Sequence, residues 1–323
     1  MKIYPLKLSY ITKTALWAGK KLKTDFGKVS EHDTVSESWE LSVREDEMSR
    51  ITNGDAKGMT LAEYFEAAGY GCVSPAFKRG DRFPLLVKLI DASDMLSIQV
   101  HPNDDYALSV EGESGKTEMW YIVDAEKGAT LVYGLRDGVT SDDFLRAVKE
   151  NEISKVINTV PVSKGDTYFI PAGMLHAIGA GILVAEIQQN SDLTYRVYDF
   201  DRRDKNGEPR ALHTDKALAV TRPYSESEIN ALRFSKGATD SEGELLASSE
   251  HFKARRLCVD GRASLAVSNK SFLSLLCIDG EGEIVHSGVS YSISRGDSYF
   301  LPIGIGGFDL VGKATLILSE INS

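Results

Sequence analysis

Cysteine is scarce in this 323-residue chain, which has three of them: Cys72, Cys258 and Cys277. They are odd in number and far apart, and no Cys-x-x-Cys motif is present. This pattern argues against a disulfide framework and against a zinc site built from thiolates. Few and unpaired cysteines are typical of a reducing compartment, so we expect a cytoplasmic protein.

Long apolar runs are missing as well. Residues 1–21 mix lysines with short apolar stretches and lack the continuous apolar segment of a signal peptide. No later run approaches the roughly 20 apolar residues that a membrane-spanning helix needs. The sequence therefore predicts a soluble protein without a membrane partner.

Positive charge is in deficit. The chain has 37 Lys and Arg against 47 Asp and Glu, which gives a formal net charge of -10. A negative field disfavours non-specific binding to nucleic acid, so we expect no nucleic-acid partner. It does not exclude a small anionic ligand, because a few local basic side chains can hold a phosphate. We expect a monomer or a weak homodimer.

The chain is instead rich in short β-branched and aromatic runs bounded by Gly, Asp and Pro. These runs lie at residues 84–90, 119–124, 129–133, 167–171, 181–188, 271–278, 298–302 and 314–318. Short strands in such number favour a β-sandwich or barrel. Helix signals are fewer and lie at residues 60–68, 140–148 and 214–220. We therefore predict an all-β fold with minor helices.

One nine-residue string occurs twice. Gly-Asp-Thr-Tyr-Phe-Ile-Pro-Ala-Gly at residues 165–173 returns as Gly-Asp-Ser-Tyr-Phe-Leu-Pro-Ile-Gly at residues 296–304, with six identical positions. The repeat predicts two β-barrels in tandem, although so short a turn motif can also arise twice by chance. We place the division between residues 1–223 and 224–323, with residues 224–250, rich in Ser, Glu, Gly and Asp, as a connector.

Four residues on strand-like segments form a candidate metal-ligand set: Gln99, His101, Glu118 and His176. Gln99 and His101 are two residues apart and share one face of a strand. Neutral imidazoles, a carboxylate and an amide oxygen suit a divalent cation such as zinc, although Gln is an uncommon zinc ligand. A lone histidine is more often a surface or hydrogen-bonded core residue. The pair together with one Glu favours a metal site.

The second barrel is predicted to lack these ligands. When the repeat register is carried forward, Gly307 aligns with His176, and a looser match places Leu273 opposite Glu118. The first barrel is therefore expected to hold the metal and to be catalytic, while the second keeps only the scaffold.

The motifs resemble those of the type I mannose-6-phosphate isomerases, in the short bacterial form built on tandem cupin (jelly-roll) barrels. The resemblance rests on residues 83–88, 96–103, 115–120, 169–177 and 189–199, with weaker matches at 37–40 and 212–217. It implies one zinc ion per chain, bound by the four candidate ligands. It further implies that Ser97, Lys116 and Arg196 line the sugar-phosphate site and that Glu186 and Asp192 face the same pocket.

The implied activity is the interconversion of D-mannose 6-phosphate and D-fructose 6-phosphate through an enediol. This aldose–ketose isomerisation needs a base, and Glu186, Lys116 and Asp192 are all admissible. A planar guanidinium at Arg196 suits either the phosphate or the enediolate. The alternatives without a functional role are a surface ion pair of Arg196 with Asp192 or Asp199, and a solvent-facing Glu186.

Two other functions stay open at this stage. A cupin isomerase could act on a different phosphosugar such as glucose 6-phosphate, because the fold does not decide the substrate. A metal-containing sugar-binding or regulatory module without turnover is the third possibility. The remaining polar residues are interpreted as structural, namely His32, His213, His251 and His286 and the charged stretch of Arg202, Arg203 and Lys205.

Overall fold

The structure is a computed structural model that describes residues 2–45, 47–203, 206–232 and 239–322; Lys205 lies outside them. These residues form 21 strands, six α-helices and two 3-10 helices, Tyr70–Cys72 and Ile153–Lys155. The strands are β1 (Leu6–Lys7), β2 (Ile11–Lys13), β3 (Glu37–Leu41), β4 (Val43–Arg44), β5 (Glu47–Met48), β6 (Leu85–Ala92), β7 (Ile98–Val100), β8 (Glu118–Ala125), β9 (Thr130–Leu135), β10 (Ile157–Pro161), β11 (Thr167–Ile170), β12 (His176–Ile178), β13 (Ile182–Gln189), β14 (Tyr195–Tyr198), β15 (Thr239–Asp240), β16 (Gly243–Ser248), β17 (Phe252–Ala266), β18 (Leu273–His286), β19 (Val289–Ser294), β20 (Ser298–Leu301) and β21 (Gly307–Ile321). The helices are α1 (Lys21–Thr24), α2 (Leu61–Ala68), α3 (Asp104–Val110), α4 (Ser141–Lys149), α5 (Thr214–Val220) and α6 (Glu226–Leu232). The prediction of a mostly β chain with minor helices is confirmed.

Two antiparallel sheets make the first barrel. One has the strand order β11-β8-β13-β6-β3-β2 and the other β10-β9-β12-β7-β14. A buried cluster joins side chains from both sheets, among them Ile90 and Trp120 of the first and Tyr133 and Ile178 of the second. The sheets therefore pack face to face, and the inner side chains of every strand point into the space between them.

The six-stranded sheet is buried on both faces. Leu85, Val87 and Leu89 of β6 belong to a core shared with the second barrel, whereas Ile90 and Ala92 belong to the core of the first. All eight residues of β6 are buried, and so are those of β13. A charged residue in such a strand is exceptional, because burial of an unpaired charge is costly.

The second barrel is one eight-stranded antiparallel sheet in the order β1-β20-β18-β21-β17-β16-β15, with β19 paired to β18. Strand β1 comes from the other end of the chain and pairs Leu6 with Phe300. Helix α6 buries Ile229 in the core of the first barrel. The division between residues 223 and 224 stays a prediction, and each unit contributes one element to the other.

The repeated string has the same local structure in both barrels. Asp166 and Asp297 each accept a hydrogen bond from the backbone N–H three residues earlier, at 2.8 and 2.9 Å. The hydroxyls of Tyr168 and Tyr299 each donate to the carbonyl seven residues earlier, at 3.2 and 2.6 Å. The glycine before each Asp has a positive φ, of 93° and 89°, which favours glycine. The two tandem barrels are confirmed, and the repeated string takes the same place in each.

The register supports the predicted difference between the barrels. Glu118 and Leu273 each begin the strand that pairs with the repeat strand, opposite its last residue. His176 and Gly307 each begin a strand that follows the repeat. Leucine and glycine therefore occupy the positions of two candidate ligands.

The interpretation of residues 224–250 as a connector is wrong for much of that stretch, of which residues 233–238 lie outside the description. Helix α6 and the strands β15 and β16 fill the rest. Ser225 and Glu228 cap the helix, since the Glu228 carboxylate accepts a hydrogen bond from the Ser225 backbone N–H at 2.9 Å and the Ser225 hydroxyl accepts one from the Glu228 N–H at 3.3 Å. The Ser-x-x-Glu pattern is a helix-start signal, but it lies in a stretch whose many polar residues favoured a connector instead. In the part of the chain that the structure describes, no helix has both the length and the apolar character to cross a bilayer.

Candidate active site

Strand register brings the candidate ligands together. β7 lies between β12 and β14, so Gln99 is directly opposite His176 on one side and Arg196 on the other. His101 follows the end of β7, just before Pro102. Glu118 begins β8 in the facing sheet. The two sheets thus supply ligands from opposite walls of one barrel.

His101, Glu118 and His176 are buried, and one ligand atom from each lies within 4.8 Å of the other two. The Nε2 atoms of the two histidines are 3.1 Å apart. Glu118 Oε1 is 3.4 Å from His176 Nε2, and Glu118 Oε2 is 3.5 Å from His101 Nε2. The three side chains therefore point at one common position.

The tautomer of each imidazole follows from its partners. His101 Nδ1 is 2.7 Å from the backbone carbonyl of Leu193, and His176 Nδ1 is 2.8 Å from that of Met174. A carbonyl oxygen only accepts, so each Nδ1 carries the proton and each Nε2 presents a lone pair. Two lone pairs that face each other at 3.1 Å repel unless a cation lies between or beside them.

Both imidazoles are held neutral. Burial and, after it, the positive charge of Lys116 together lower the pKa of His176 to about 3. The pKa of His101 is also lowered well below its usual value, first by burial and then by Lys116 and His176. Neutral imidazole is the form that binds a metal.

Glu118 lacks a full set of partners. Its Oε2 contacts the Lys116 ammonium, which also lies 3.0 Å from His101 Nε2. Its Oε1 is buried and receives no hydrogen bond from any residue that the structure describes. A buried carboxylate oxygen without a donor is rare and costly. Two neutral imidazole nitrogens that present lone pairs and an unsatisfied carboxylate oxygen are the donor set that zinc prefers, so the residues fit this metal.

Gln99 is the fourth candidate ligand. Its Nε2 lies 3.5 Å from His176 Nε2, and its Oε1 lies 3.4 Å from the hydroxyl of Ser97. A half turn about the terminal torsion exchanges the amide oxygen and nitrogen and points the oxygen at the imidazoles. The amide is therefore close enough to act as a ligand.

A cavity of about 320 Å³ opens beside these residues. Six of the site residues named from the sequence line it together, namely Ser97, Gln99, Lys116, Glu186, Asp192 and Arg196. Sequence reasoning missed six polar or aromatic residues of the wall, namely Trp17, Glu37, Lys88, Trp120, Thr194 and Arg210.

Glu186 faces the interior of the barrel, so the alternative of a solvent-facing Glu186 is wrong. Its neighbours across the sheet are Lys88 on β6 and Trp120 on β8. Trp120 Nε1 donates to Glu186 Oε1 at 3.0 Å, and the ammonium groups of Lys116 and Lys88 lie 3.7 and 3.9 Å from the carboxylate. Burial raises the pKa of Glu186, and the charge of Glu118 adds to the rise.

Lys88 is the missed residue with the clearest sequence signal. It lies in the middle of a strand whose only other charged residue is Asp91, and it is 5 % exposed. Burial lowers its pKa, but Glu37, Glu186 and Asp192 outweigh this and raise it. A charge in a fully buried strand requires buried partners, which indicates a polar interior.

Arg196 does not form a surface ion pair with Asp192 or Asp199. Its Nε donates to Ser97 Oγ at 3.3 Å, and its Nη1 donates to the Ala211 carbonyl at 2.8 Å. Asp199 instead accepts hydrogen bonds from Arg202 and Arg210. Burial lowers the pKa of Arg196, and so does the positive charge of Arg210.

Comparison with known proteins places the chain in a family. Residues 7–130 match the phosphomannose isomerase type I catalytic domain, and residues 242–321 match the mannose-6-phosphate isomerase cupin domain. The chain is 37 % identical to mannose-6-phosphate isomerase ManA of Bacillus subtilis, over 99 % of this chain and 100 % of that protein. It is 34 % identical to mannose-6-phosphate isomerase of Streptococcus mutans, over 98 % of each chain.

A crystal structure agrees with the sequence comparison. The mannose 6-phosphate isomerase from Bacillus subtilis aligns with a TM-score of 0.89 and 34 % identity over 98 % of this chain and 99 % of that one. A point variant of phosphomannose isomerase from Salmonella typhimurium shares the fold at 15 % identity and a TM-score of 0.77, over 99 % of this chain and 100 % of that one. The chain therefore belongs to the type I mannose-6-phosphate isomerases, an enzyme family with cupin barrels, as its motifs predicted.

Proposed function

We propose that the protein is a zinc-dependent isomerase that interconverts D-mannose 6-phosphate and D-fructose 6-phosphate through an enediol. The observation that carries the proposal is that the cluster of His101, Glu118 and His176 contacts Lys116, which lines the adjoining cavity together with Glu186. Membership of the family supports the choice of substrate. The barrel of residues 1–223 would be catalytic, and that of residues 224–323 structural.

One zinc ion would be held by Gln99, His101, Glu118 and His176. When bound, it would supply Lewis-acid stabilisation of the negative charge that develops on the sugar oxygens at C1 and C2. The two Nδ1–H groups, fixed on backbone carbonyls, keep the imidazoles oriented for this task.

The chain itself must move a proton between C2 and C1 of the sugar. Glu186 and Lys116 are 3.7 Å apart at the cavity wall and form an acid–base pair that can take a proton from one carbon and return it to the other. Trp120 fixes one oxygen of Glu186, which leaves the other to face the cavity. Asp192 also lines the cavity but is exposed, whereas Glu186 is buried, so Asp192 is the weaker candidate.

Arg196 and Ser97 would bind the substrate. The guanidinium is held by the Ser97 hydroxyl and the Ala211 carbonyl, so it is oriented before the substrate arrives. Pre-orientation lowers the entropic cost of reaching the reactive geometry.

A coupled assay tests the proposal. Formation of fructose 6-phosphate is measured in two separate assays, one with mannose 6-phosphate and one with glucose 6-phosphate as the substrate. The assay is run on protein as purified, after chelation, and after addition of zinc. We expect turnover of mannose 6-phosphate that chelation abolishes and zinc restores.

The other outcomes identify the alternatives. A preference for glucose 6-phosphate would assign a different isomerase. Zinc-dependent binding of mannose 6-phosphate without turnover would assign a sugar-binding module. Turnover that survives complete removal of metal contradicts the zinc role.

A further inference from the structure

One end of the cavity is built from guanidinium groups. Arg196 and Arg210 both line it, and Arg202 lies next to them along the chain. Asp199 connects Arg202 and Arg210. Neither the family motifs nor the chemistry of isomerisation explains why Arg210 is at this wall.

Asp199 is 5 % exposed and orients Arg210. Its Oδ2 accepts from Arg210 Nε at 2.6 Å, and its Oδ1 accepts from Arg210 Nη2 at 2.5 Å. A bidentate carboxylate fixes the plane of the guanidinium. No described residue accepts a hydrogen bond from the remaining Nη1 of Arg210, so one donor stays available to a ligand.

Charge is unevenly distributed along the cavity. Arg196 and Arg210 line the cavity, and the buried carboxylate of Asp199 is shared between Arg210 and Arg202, which does not line the cavity. The other nearby carboxylate, Asp94, is 63 % exposed and 3.9 Å from Arg202. A second charged cluster lines the cavity and holds the carboxylates Glu37, Glu186 and Asp192 and the ammonium groups Lys88 and Lys116.

The guanidinium cluster therefore carries a positive excess, whereas the second cluster, with three carboxylates and two ammonium groups, carries a negative one. The lowered pKa of Arg196 agrees with this, because burial and then the charge of Arg210 are its main causes. A dianionic group such as a phosphate monoester relieves the excess, and a neutral hydroxyl does not.

We propose that Arg210 is a substrate-binding residue that holds the phosphate group and selects phosphorylated over neutral sugars. The inference rests on the proposed function and adds a residue that the sequence motifs did not indicate. Asp199 is the positioning residue behind it, since it acts through the guanidinium that it orients.

Arg202 offers a matched control. It binds the same Asp199 oxygen at 2.5 Å, but its Nη1 donates to the Met95 carbonyl at 2.6 Å and it does not line the cavity. Replacement of either arginine takes one partner from Asp199. A merely structural role therefore predicts equal effects of Arg210→Gln and Arg202→Gln.

The experiment compares both variants with the wild type in kcat and KM for mannose 6-phosphate, and in the affinity for inorganic phosphate by calorimetry. For Arg210→Gln we expect a KM raised roughly 10- to 100-fold, the effect of a lost hydrogen bond to a charged group, with kcat within about threefold. Phosphate affinity falls by a similar factor. Arg202→Gln stays within about threefold on both measures, because Arg202 does not line the cavity.

Thermal unfolding of both variants checks that the fold is retained, and Arg210→Lys recovers part of the phosphate affinity because it restores the charge without the bidentate geometry. Equal changes in the two Gln variants, or an unchanged phosphate affinity in Arg210→Gln, overturn the proposal. The calorimetry remains decisive even if the wild type does not isomerise mannose 6-phosphate, so this failure is distinguishable from failure of the proposed function.

Discussion

The Lys116 ammonium lies 3.0 Å from His101 Nε2, at the position where the candidate metal ligands converge. It also contacts the Glu118 carboxylate, which is buried. A cationic side chain therefore already compensates part of the negative charge of the ligand set. A bound divalent cation would take over this role and release the ammonium toward the cavity and Glu186.

Replacement of Lys116 separates catalysis from metal binding. In Lys116→Met we expect kcat to fall about 10²- to 10⁴-fold, the usual contribution of a positioned acid–base group. Zinc affinity, measured by competition with a chelator, should be unchanged or higher, because the competing ammonium is gone. Lys164→Met, at an exposed lysine, is the control. A loss of zinc in parallel with kcat would show instead that Lys116 stabilises the ligand set.

Glu118→Gln tests the ligand set itself. The substitution keeps the shape but removes the only carboxylate that lies within reach of both Nε2 atoms among the described residues. We expect zinc affinity to fall by more than the roughly 10- to 100-fold that loss of an outer-shell partner costs, and activity to fall with it. Elemental analysis after dialysis gives the metal content. Glu113→Gln, at the neighbouring cavity, should retain full zinc content, and equal losses in both variants would refute the role of Glu118.

The candidate ligands could be predicted from the sequence, whereas several residues of the surrounding cavity wall could not. Gln99, His101, Glu118 and His176 lie within motifs whose alternation of side chains could be followed along single strands. Lys88 and Glu37 approach the cavity only through the pairing of β3 with β6 and of β6 with β13, and this long-range register is not visible in a local pattern. Arg210 lies on a loop, where no periodicity predicts direction. β1 was missed as part of the second sheet because a two-residue strand carries too little pattern.

We expect the buried Lys28–Glu40 pair to contribute strongly to the free energy of unfolding, because it lies at the contact between the two barrels. Lys28 Nζ donates to Glu40 Oε2 at 2.8 Å and to the Gly296 carbonyl of the second barrel at 2.7 Å, and both side chains are 1 % exposed. Lys28→Met leaves a buried carboxylate without its cation and should lower the free energy of unfolding by about 3–5 kcal/mol. Urea denaturation measures this.

The neighbouring pair of Lys7 and Asp297 is the control for Lys28. Its two side chains are 28 % and 20 % exposed, so Lys7→Met should cost only about 0–1 kcal/mol. Glu40→Leu introduced together with Lys28→Met removes the stranded charge and should recover much of the lost stability. A double variant as unstable as the single one would mean that packing, rather than charge, causes the loss.

Asp199 should make stability depend on pH in the acid range. Burial raises its pKa, but the hydrogen bonds from Arg210 and Arg202 outweigh burial and hold the pKa below its usual value. The folded state therefore binds this proton more weakly than the unfolded state does. The stabilisation is complete above the unfolded pKa of about 3.9 and is lost as the pH falls through the lower, folded value.

Urea midpoints of the wild type and Asp199→Asn should differ by a constant amount between about pH 5 and 7 and converge below about pH 4. Comparison with this variant cancels the titration of the histidines, which both proteins share. A difference that stays constant down to the lowest pH at which both proteins fold would show that the arginines do not stabilise the charged form of Asp199.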